Sequence, residues 1–295
     1  MLAKNTDQGP TLAQVLAVAE RLWPYDTAES WDVVGLAVGD PSREIRTILF
    51  AVDPVDATIA EAEAVGADLL FTHHPLLLRG VTSVAANTTK GGAIDRLIRG
   101  NIALFNAHTN ADGAIGGVSE VLIEALGITR SRPLDDPDSI EPVFGIGRVG
   151  NLPTSVSLRE FAETVAAAMP ATKGGVRVSG DLDADVRRVA VCGGAGDGYF
   201  DQVRAAGADV YVTADLRHHP ASEAREQAAR PALESAGRGA AGTPHLIDVS
   251  HWASESLWLH AAAAEIRSAL AQQGTTVETI VSSVVTDPWT LRLPT

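Results

Sequence analysis

The fold of the chain is decided by the stretch Gly66–Pro75, whose sequence is Gly-Ala-Asp-Leu-Leu-Phe-Thr-His-His-Pro. Its apolar residues predict a buried strand that is entered from a helix. Pro75 ends the strand, because proline cannot donate to a sheet ladder, and the chain can then bend so that the rings of His73 and His74 converge. Two imidazoles that converge without easily reaching one ion suggest two metal ions side by side. The alternative interpretation is a pair of capping or surface histidines.

The composition indicates a protein with a substantial core. Its 295 residues suffice for about two domains or one large one, and 45% of them are hydrophobic. No stretch approaches the roughly 18 consecutive apolar residues that a membrane helix needs, and no secretory signal pattern is seen. The single cysteine, Cys192, excludes an internal disulfide framework and a thiolate-rich zinc site. We therefore expect a cytoplasmic protein.

The charge of the chain limits its partners. The formal net charge is −14, so phosphates would be repelled over most of the surface, and non-specific nucleic-acid binding is disfavoured. A phosphorylated small molecule is compatible with this charge, since bound divalent ions would offset it locally. We expect a small-molecule substrate, no membrane association and no nucleic-acid partner.

Predicted strands and helices alternate along the chain, which indicates an α/β fold. Thr11 and Gln14 form a capping-box pattern in front of the first helix. We expect helices at 12–23, 58–65, 91–99, 118–126, 158–168 and 251–271. We expect strands at 45–52, 69–72, 102–106, 144–149, 186–191, 246–249 and 277–285. Polar residues follow several strand ends, which is where sites assemble in α/β sheets.

A weak internal repeat suggests that the fold has two similar halves. The pattern of strand, helix and strand spans 46–72 and recurs at 187–213. Each copy runs on into His-His-Pro, at 73–75 and at 218–220. We therefore expect two similar α/β domains that face each other, with the site between them.

The boundary between the halves is expected at a segment rich in Pro and Asp, residues 130–142. This gives a first half of residues 1–130 and a second half of residues 131–295. The C-terminal part of the second half is expected to pack back on the first half.

Three features of the second half have open interpretations. The run Cys192–Gly198 contains four glycines after a predicted strand. Its amides could cradle a phosphate, although it lacks the dinucleotide fingerprint, and a tight strand-to-helix turn is an equal alternative. Residues 221–244 are expected to form a mobile helix or loop, such as a lid. His218 and His219 are weaker site candidates than the histidines of the first copy.

His251 and Glu255 lie four residues apart near the start of a predicted helix, so both side chains project from one face. Such a pair is often only a solvated ion pair. This one follows a predicted strand end, as His73, His74 and the segment His108–Asp112 do. Three strand-end clusters with histidine, two of which add a carboxylate, favour a metal site. The predicted ligands are His73, His74, Asp112, His251 and Glu255.

Three imidazoles and two carboxylates without sulfur suit two divalent ions of Zn, Mn, Fe or Co. Five side chains leave coordination positions open, which is typical of a catalytic rather than a structural site. Two ions that share a water would make hydroxide available near neutral pH, so the ligand set predicts a hydrolase. His108 is assigned as a catalytic proton shuttle, or as a group that supports a ligand, rather than as a sixth ligand. Asp53 either supports a ligand or only forms a turn.

Short motifs are spread across nearly the whole chain, and they are specific in combination. They are Trp31-Asp32-x-x-Gly35-Leu36-x-Val38-Gly39-Asp40, Leu70–Pro75, His108-Thr109-Asn110-x-Asp112, Gly116-Gly117-Val118, Val191–Gly194, His251-x-x-x-Glu255 and Thr286-Asp287-Pro288. In their order they resemble the GTP cyclohydrolase I type 2 homologue family, also called the Nif-three-like family.

The resemblance implies the same five metal ligands, two related α/β domains with a dinuclear metal site between them, and a toroidal homohexamer built as a trimer of dimers. Some longer members carry an inserted domain between the halves. Residues 130–185 are too short for one, so we expect no third domain. Val33 and Trp252 stand where many members have Asn and Tyr, and residues 221–244 are longer than usual. These departures bear on substrate recognition and not on the metal site.

The sequence predicts a hydrolase and leaves a non-enzymatic alternative open. The family's name suggests that water attacks C8 of guanine in GTP, opens the imidazole ring and releases formate. No sequence feature recognises guanine, so the expected substrate is a nucleotide-like or other small phosphorylated molecule. The alternative is a metal-binding scaffold or regulatory protein with the same ligands. Nucleic-acid binding around a ring would need a basic inner surface, which the overall acidity disfavours.

Overall fold

The computed structural model describes residues 9–139, 143–234 and 242–293, and it has a mixed α/β fold with two sheets. The predicted α/β class is confirmed. The strands are β1 (Gly35–Val38), β2 (Thr47–Ala51), β3 (Leu69–Thr72), β4 (Ala103–Asn106), β5 (Ser131–Arg132), β6 (Arg148–Ser157), β7 (Arg177–Ser179), β8 (Asp185–Ala195), β9 (Val210–Ala214), β10 (His245–Val249) and β11 (Glu278–Val281). The α-helices are α1 (Leu12–Leu22), α2 (Asp56–Ala64), α3 (Thr89–Arg99), α4 (Thr109–Asp112), α5 (Val118–Ala125), α6 (Leu158–Ala168), α7 (Phe200–Ala205), α8 (His218–Glu234), α9 (His251–Ser256) and α10 (Trp258–Gln272).

Contacts within the chain divide it into two units. Unit 1 comprises Met1–Ala111 and Leu259–Thr286, and unit 2 comprises Asp112–Trp258 and Asp287–Thr295. Each unit contains one of the two sheets. The internal repeat and the boundary between two similar halves stay predictions.

Most predicted elements lie within a few residues of their expected bounds, but three differ. The strand expected at 144–149 begins only at Arg148, because Gly147 has a φ of +68°, which strands do not adopt. The helix expected at 251–271 is interrupted at Leu257, which separates α9 from α10. Helix α8 occupies the start of the expected lid, and residues 235–241 of that prediction lie outside the described residues.

Unit 1 contains the sheet β1-β4-β3-β2-β11. Strands β11, β2, β3 and β4 run parallel, and β1 is antiparallel to β4. The buried ring of Phe71 packs between those of Phe50 and Phe105, at centroid distances of 4.8 and 4.9 Å. Such aromatic pairs across neighbouring strands fix the register. The residues that follow β2, β3 and β4 therefore emerge together at one edge of the sheet.

Unit 2 contains the sheet β5-β6-β8-β9-β10-β7. Strands β8, β9 and β10 run parallel, and Ala214 at the end of β9 pairs with Ala195 on one side and Val249 on the other. Every residue of β9 and β10 is buried, as expected for parallel strands that are covered on both faces. Asp215 and Ser250 consequently emerge side by side.

Among the described residues, no helix has both the length and the apolarity that crossing a membrane requires.

Candidate metal centre

Three histidines of unit 1 form a cluster at the carboxyl edge of its sheet. His73 and His74 follow β3, and His108 follows β4. Their ring centroids lie 5.0, 5.2 and 5.4 Å apart, and one ring nitrogen from each lies within 4.8 Å of the others. Two nitrogens bound to one ion at about 2.1 Å are at most about 4.2 Å apart. The cluster is therefore within a small side-chain movement of sharing an ion.

The hydrogen bonds of His73 and His74 determine which ring nitrogen could bind a metal. Nδ1 of His73 lies 2.9 Å from the carbonyl oxygen of Ala107. Nδ1 of His74 lies 2.7 Å from Oδ1 of Asp53. A carbonyl or carboxylate oxygen only accepts, so each Nδ1 carries the proton and Nε2 of the neutral ring carries the lone pair. Metal-binding histidines in proteins are usually held in this way.

Asp32 holds His108 by the same kind of bond. Oδ1 of this fully buried carboxylate lies 2.8 Å from Nδ1 of His108. Its Oδ2 accepts from the backbone N–H of Thr109 at 3.1 Å and from the Thr109 hydroxyl at 2.6 Å. Burial alone would raise the pKa of Asp32, but the hydrogen bonds from His108 and Thr109 outweigh it and hold the pKa well below its usual range. Asp32 is thus ionised and orients His108. The sequence placed it in a family motif without assigning this role.

Asp53 uses both of its carboxylate oxygens. Oδ1 accepts from His74, and Oδ2 accepts a hydrogen bond from the hydroxyl of Thr286. Asp53 follows β2, the neighbour of the strand that presents His74. Of the two interpretations open from the sequence, Asp53 therefore supports His74 and does not merely form a turn.

His251 and Glu255 form a second group, in unit 2. The hydroxyl of Ser250 accepts from the N–H of Ala253 at 3.3 Å and caps α9, as predicted, so His251 opens the helix. Nε2 of His251 lies 2.9 Å from Oε1 of Glu255, and its Nδ1 lies 2.8 Å from Oδ2 of Asp215. Burial lowers the pKa of His251, but the two carboxylates outweigh it and raise the pKa to about 11. The group strongly favours a positive charge between its carboxylates.

Asp215 also belongs to this group, although the sequence motifs did not identify it. It directly follows β9 and has a φ of +55°, which is uncommon for a residue other than glycine. The hydrogen bond from His251 is the main cause that lowers its pKa. Its position after a strand, like that of Asp53, is the signal that could have identified it.

The glycine run Cys192–Gly198 is not a single tight turn between strand and helix. Its first four residues belong to β8, and α7 begins only at Phe200. A phosphate cradle formed by its amides stays a prediction. Gly194 has a φ of +67°, and a Cβ there would lie 2.4 Å from Oε1 of Glu255 and 3.2 Å from Nε2 of His251. Glycine is needed at this position because the backbone passes close to the ligand pair.

The remaining predicted residues lie elsewhere in unit 2. Asp112 is the last residue of α4. Burial raises the pKa of the Cys192 thiol, and the charge of Asp112 adds to this effect. His218 and His219 begin α8, with ring centroids 5.2 Å apart. Within the described part of the chain, neither belongs to a group with metal-ligand spacing.

Fold and site together define a class: an α/β protein whose strand ends present imidazole and carboxylate groups, without thiolate, in positions that could bind metal ions. Residues 10–288 match the model of the family described as Duf34/NIF3 (NGG1p interacting factor 3). The chain belongs to this family, as its motifs predicted.

Two relatives and one solved structure illustrate the similarity. A Streptomyces coelicolor protein named GTP cyclohydrolase 1 type 2 homolog is 49% identical over 95% of this chain and 94% of its own length. A Mycobacterium tuberculosis protein of the same name is 34% identical over 95% of this chain and 97% of its own, in an alignment of 385 positions, so it contains residues that this chain lacks. The crystal structure of a Bacillus cereus protein related to NIF3 has a TM-score of 0.84 at 22% identity, over 97% of this chain and 100% of that one. It shows that the fold is shared.

Proposed function

We propose that this protein is a metal-dependent hydrolase. Its dinuclear centre would be shared by the two similar halves that the sequence predicts, with ligands His73, His74, Asp112, His251 and Glu255. One observation carries the proposal: an oxygen acceptor holds Nδ1 of each histidine ligand. These acceptors are the carbonyl of Ala107 and the carboxylates of Asp53 and Asp215. Nε2 of each ring is thereby oriented as the metal-binding nitrogen.

The donor set fits divalent ions of Zn, Mn, Fe or Co, because it combines imidazole nitrogens with carboxylate oxygens and no sulfur. Ions of this kind, when bound, supply a water that is acidic enough to act as a nucleophile near neutral pH. His108 is proposed as the catalytic proton carrier. Asp32 keeps a proton on Nδ1 of His108. Nε2 of His108 is therefore the atom that accepts or donates a proton during hydrolysis.

The proposed substrate is a nucleotide-like or other small phosphorylated molecule. The relatives from Streptomyces coelicolor and Mycobacterium tuberculosis have a name that refers to GTP cyclohydrolase. This supports a nucleotide as the first compound to test, although a shared fold does not determine a substrate. A toroidal homohexamer, which the family resemblance implies, belongs to the same proposal. So does a cytoplasmic location, which the composition and the single cysteine suggest.

A second candidate function is a metal-binding scaffold or regulatory protein. It is favoured by the burial of two proposed ligands, since His73 is 0% exposed and Glu255 is 3% exposed. Burying an ionised carboxylate is costly unless it is compensated by a cation. Metal binding would then contribute to folding rather than to turnover.

The first experiment measures metal content per chain by elemental analysis, with no metal added after purification. It compares the wild type with His74→Ala and with the control His219→Ala, which removes a histidine outside the candidate groups. We expect about two ions per chain in the wild type and the control, and a clear loss in His74→Ala at an unchanged thermal unfolding temperature. A wild type that contains no metal, and that takes up none in a second sample incubated with Zn or Mn, would overturn the proposal.

The enzyme and the scaffold are separated by Glu255→Gln. For a hydrolase, this variant stays folded and assembled but no longer releases formate or phosphate from GTP and related nucleotides. For a scaffold, wild type and variant both lack turnover, and the variant loses metal together with folding stability or assembly.

A further inference from the structure

Unit 2 contains a cavity of about 560 Å³ between helix α8 and the β7–β10 edge of its sheet. This volume lies within the usual range for small-molecule sites. Leu216 and Leu246 contribute an apolar wall, and Arg177 and Arg225 contribute guanidinium groups. We propose that this cavity binds the phosphate group of a small phosphorylated ligand, whose remaining part packs on the apolar wall.

Arg225 is a half-buried cation that donates hydrogen bonds to neutral backbone carbonyls. Its Nη1 donates to the carbonyl oxygens of Gly242 and Pro244, at 2.7 and 2.5 Å. Burial lowers its pKa. In the described ranges no carboxylate forms an ion pair with it. A charge withdrawn from water in this way is stabilised by a counterion, and a bound phosphate would supply one.

Arg177 has donors in excess of its protein partner. Its Nε, at 2.8 Å, and its Nη2 both donate to Oδ2 of Asp248. Oδ1 of Asp248 accepts from the N–H of Leu216 at 3.0 Å, so both oxygens of that carboxylate are engaged. A guanidinium group has five N–H donors in a planar fork, and 65% of the Arg177 side chain is exposed. The group is therefore able to bind an anion while it keeps its bond to Asp248.

The other polar groups of the cavity wall favour a phosphate, apart from two carboxylates. Ser179 and Ser222 offer hydroxyl donors, and His218 offers an imidazole. The charge of Arg177 is offset by Asp248, so the positive charge that attracts an anion comes mainly from Arg225. Glu226, an exposed carboxylate on the same wall, opposes an anionic ligand.

The cavity adjoins the candidate ligands of the same unit. Leu216 directly follows Asp215, and Asp248 lies three residues before His251. Arg177 is bonded to Asp248 on the same strand end, so a phosphate held at Arg177 would lie near the end of β10 that leads to His251. In this respect the inference rests on the proposed function and names a substrate-binding site for it.

The inference is tested by isothermal titration calorimetry of the full-length protein with GMP, guanosine and inorganic phosphate. We expect GMP and phosphate to bind, and guanosine to bind on the order of tenfold more weakly than GMP, because it lacks the charge-assisted bonds. Arg177→Gln and Arg225→Gln should each weaken GMP binding by about tenfold. Glu226→Gln should strengthen it about threefold, because a repelling charge is removed. Arg230→Gln, an exposed arginine of α8 outside the cavity wall, is the matched control and should bind GMP as the wild type does.

Several outcomes would overturn the inference. They are wild-type protein that binds neither GMP nor phosphate at millimolar concentration, guanosine binding equal to GMP binding, and unchanged binding in both arginine variants. Thermal unfolding identifies a variant that fails to fold. If Arg225→Gln fails to fold, the test rests on Arg177→Gln and Glu226→Gln, which change exposed side chains. The first should weaken GMP binding and the second should strengthen it.

Glu255→Gln separates this inference from the proposed function. It alters a proposed metal ligand and leaves the cavity wall intact. GMP binding that persists in this variant supports the cavity even if no nucleotide is hydrolysed. Binding that is lost in Glu255→Gln but kept in both arginine variants means that the phosphate contacts the metal centre, which contradicts the cavity and leaves the hydrolase proposal standing.

Discussion

The histidine groups of the two units differ in where their carboxylates lie. In unit 1 three imidazoles form a cluster, and Asp32 and Asp53 bond to Nδ1 of two of them. In unit 2 one imidazole, that of His251, lies between two carboxylates, Asp215 on Nδ1 and Glu255 on Nε2. Unit 1 therefore offers mainly nitrogen ligands, and unit 2 offers carboxylate oxygens beside its nitrogen. The difference is the second carboxylate: Glu255 lies on Nε2 of His251, so a cation at that ring would meet an oxygen ligand beside the nitrogen.

The internal repeat predicted from the sequence sharpens this contrast. In that repeat Thr72 matches Thr213, so the position of His74 in the first copy is taken by Asp215 in the second. In this predicted repeat the second copy would contribute a carboxylate where the first contributes an imidazole. The echoed pair at 218–219 instead begins α8.

The largest expected effect on stability comes from Gly194→Ala, which places a methyl group against His251 and Glu255 in unit 2. The added Cβ would lie 2.4 Å from Oε1 of Glu255, on a backbone with a φ of +67°. Clash and backbone strain together should lower the free energy of unfolding by about 2–4 kcal/mol, measured by urea unfolding with circular dichroism. Gly198→Ala is the control, since a Cβ there meets nothing within 4 Å. Equal losses of stability in the two variants would show that the backbone at Gly194 does not lie so close to the Glu255 carboxylate.

Asp32→Asn should have the next largest effect and tests the support of His108 in unit 1. The buried carboxylate accepts three hydrogen bonds. An amide removes the charge from those bonds, so we expect a loss of about 2–3 kcal/mol in the free energy of unfolding at pH 7. The measurement is urea unfolding of both proteins across pH.

The free energy of unfolding at acid pH distinguishes this explanation from a general loss of packing. The folded pKa of Asp32 lies below its unfolded value. Its stabilisation is therefore complete above the unfolded pKa of about 4, and is lost as the pH falls towards the folded pKa. The gap between wild type and Asp32→Asn should narrow below about pH 4. A gap that stays constant down to pH 2 would count against the ionised carboxylate.

Asp215→Asn should change stability little and metal binding strongly. Asp215 is 59% exposed, so its ion pair contributes at most about 1 kcal/mol to folding. Groups that orient a metal-binding histidine typically affect metal affinity by about 10–100-fold. Chelator competition measures the affinity, with Asp201→Asn, which is 91% exposed, as the control. An unchanged metal affinity in Asp215→Asn would show that Asp215 has no role in metal binding.

The smallest effect is an expected lack of reaction at Cys192, two residues before Gly194. The thiol is buried, and burial raises its pKa. Native protein should therefore not be alkylated by iodoacetamide at pH 8, whereas urea-unfolded protein should react at the rate of an ordinary cysteine. Mass spectrometry quantifies the adduct. Rapid alkylation of the native protein would mean that this part of unit 2 opens readily.

Elements that depend on neighbouring residues could be predicted from the sequence. The capping box of Thr11 and Gln14, the bounds of β3 and the cap at Ser250 each depend on residues within about four positions. The convergence of His73 and His108 was predictable as well, because parallel strands end at one edge of a sheet.

The partners that orient the histidines were not predictable in the same way. Asp32 and His108 are 76 residues apart in the chain, and Asp215 and His251 are 36 apart. Which polar groups meet over such separations depends on how the strands are ordered in the sheet, and the sequence pattern does not encode that order. The need for glycine at position 194 was not predictable for the same reason. It depends on how closely the backbone there passes α9, a helix that follows much later in the chain.

Strand β11 has a consequence for synthesis of the protein on the ribosome. It pairs in parallel with β2 at the edge of the unit 1 sheet, although residues 278–281 are translated long after residues 47–51. At roughly 5–20 residues per second, that edge of β2 waits on the order of ten to fifty seconds for its partner. An unpaired strand edge readily joins other chains. The nascent protein therefore has a period of exposure to aggregation that ends only when residues 278–281 have emerged.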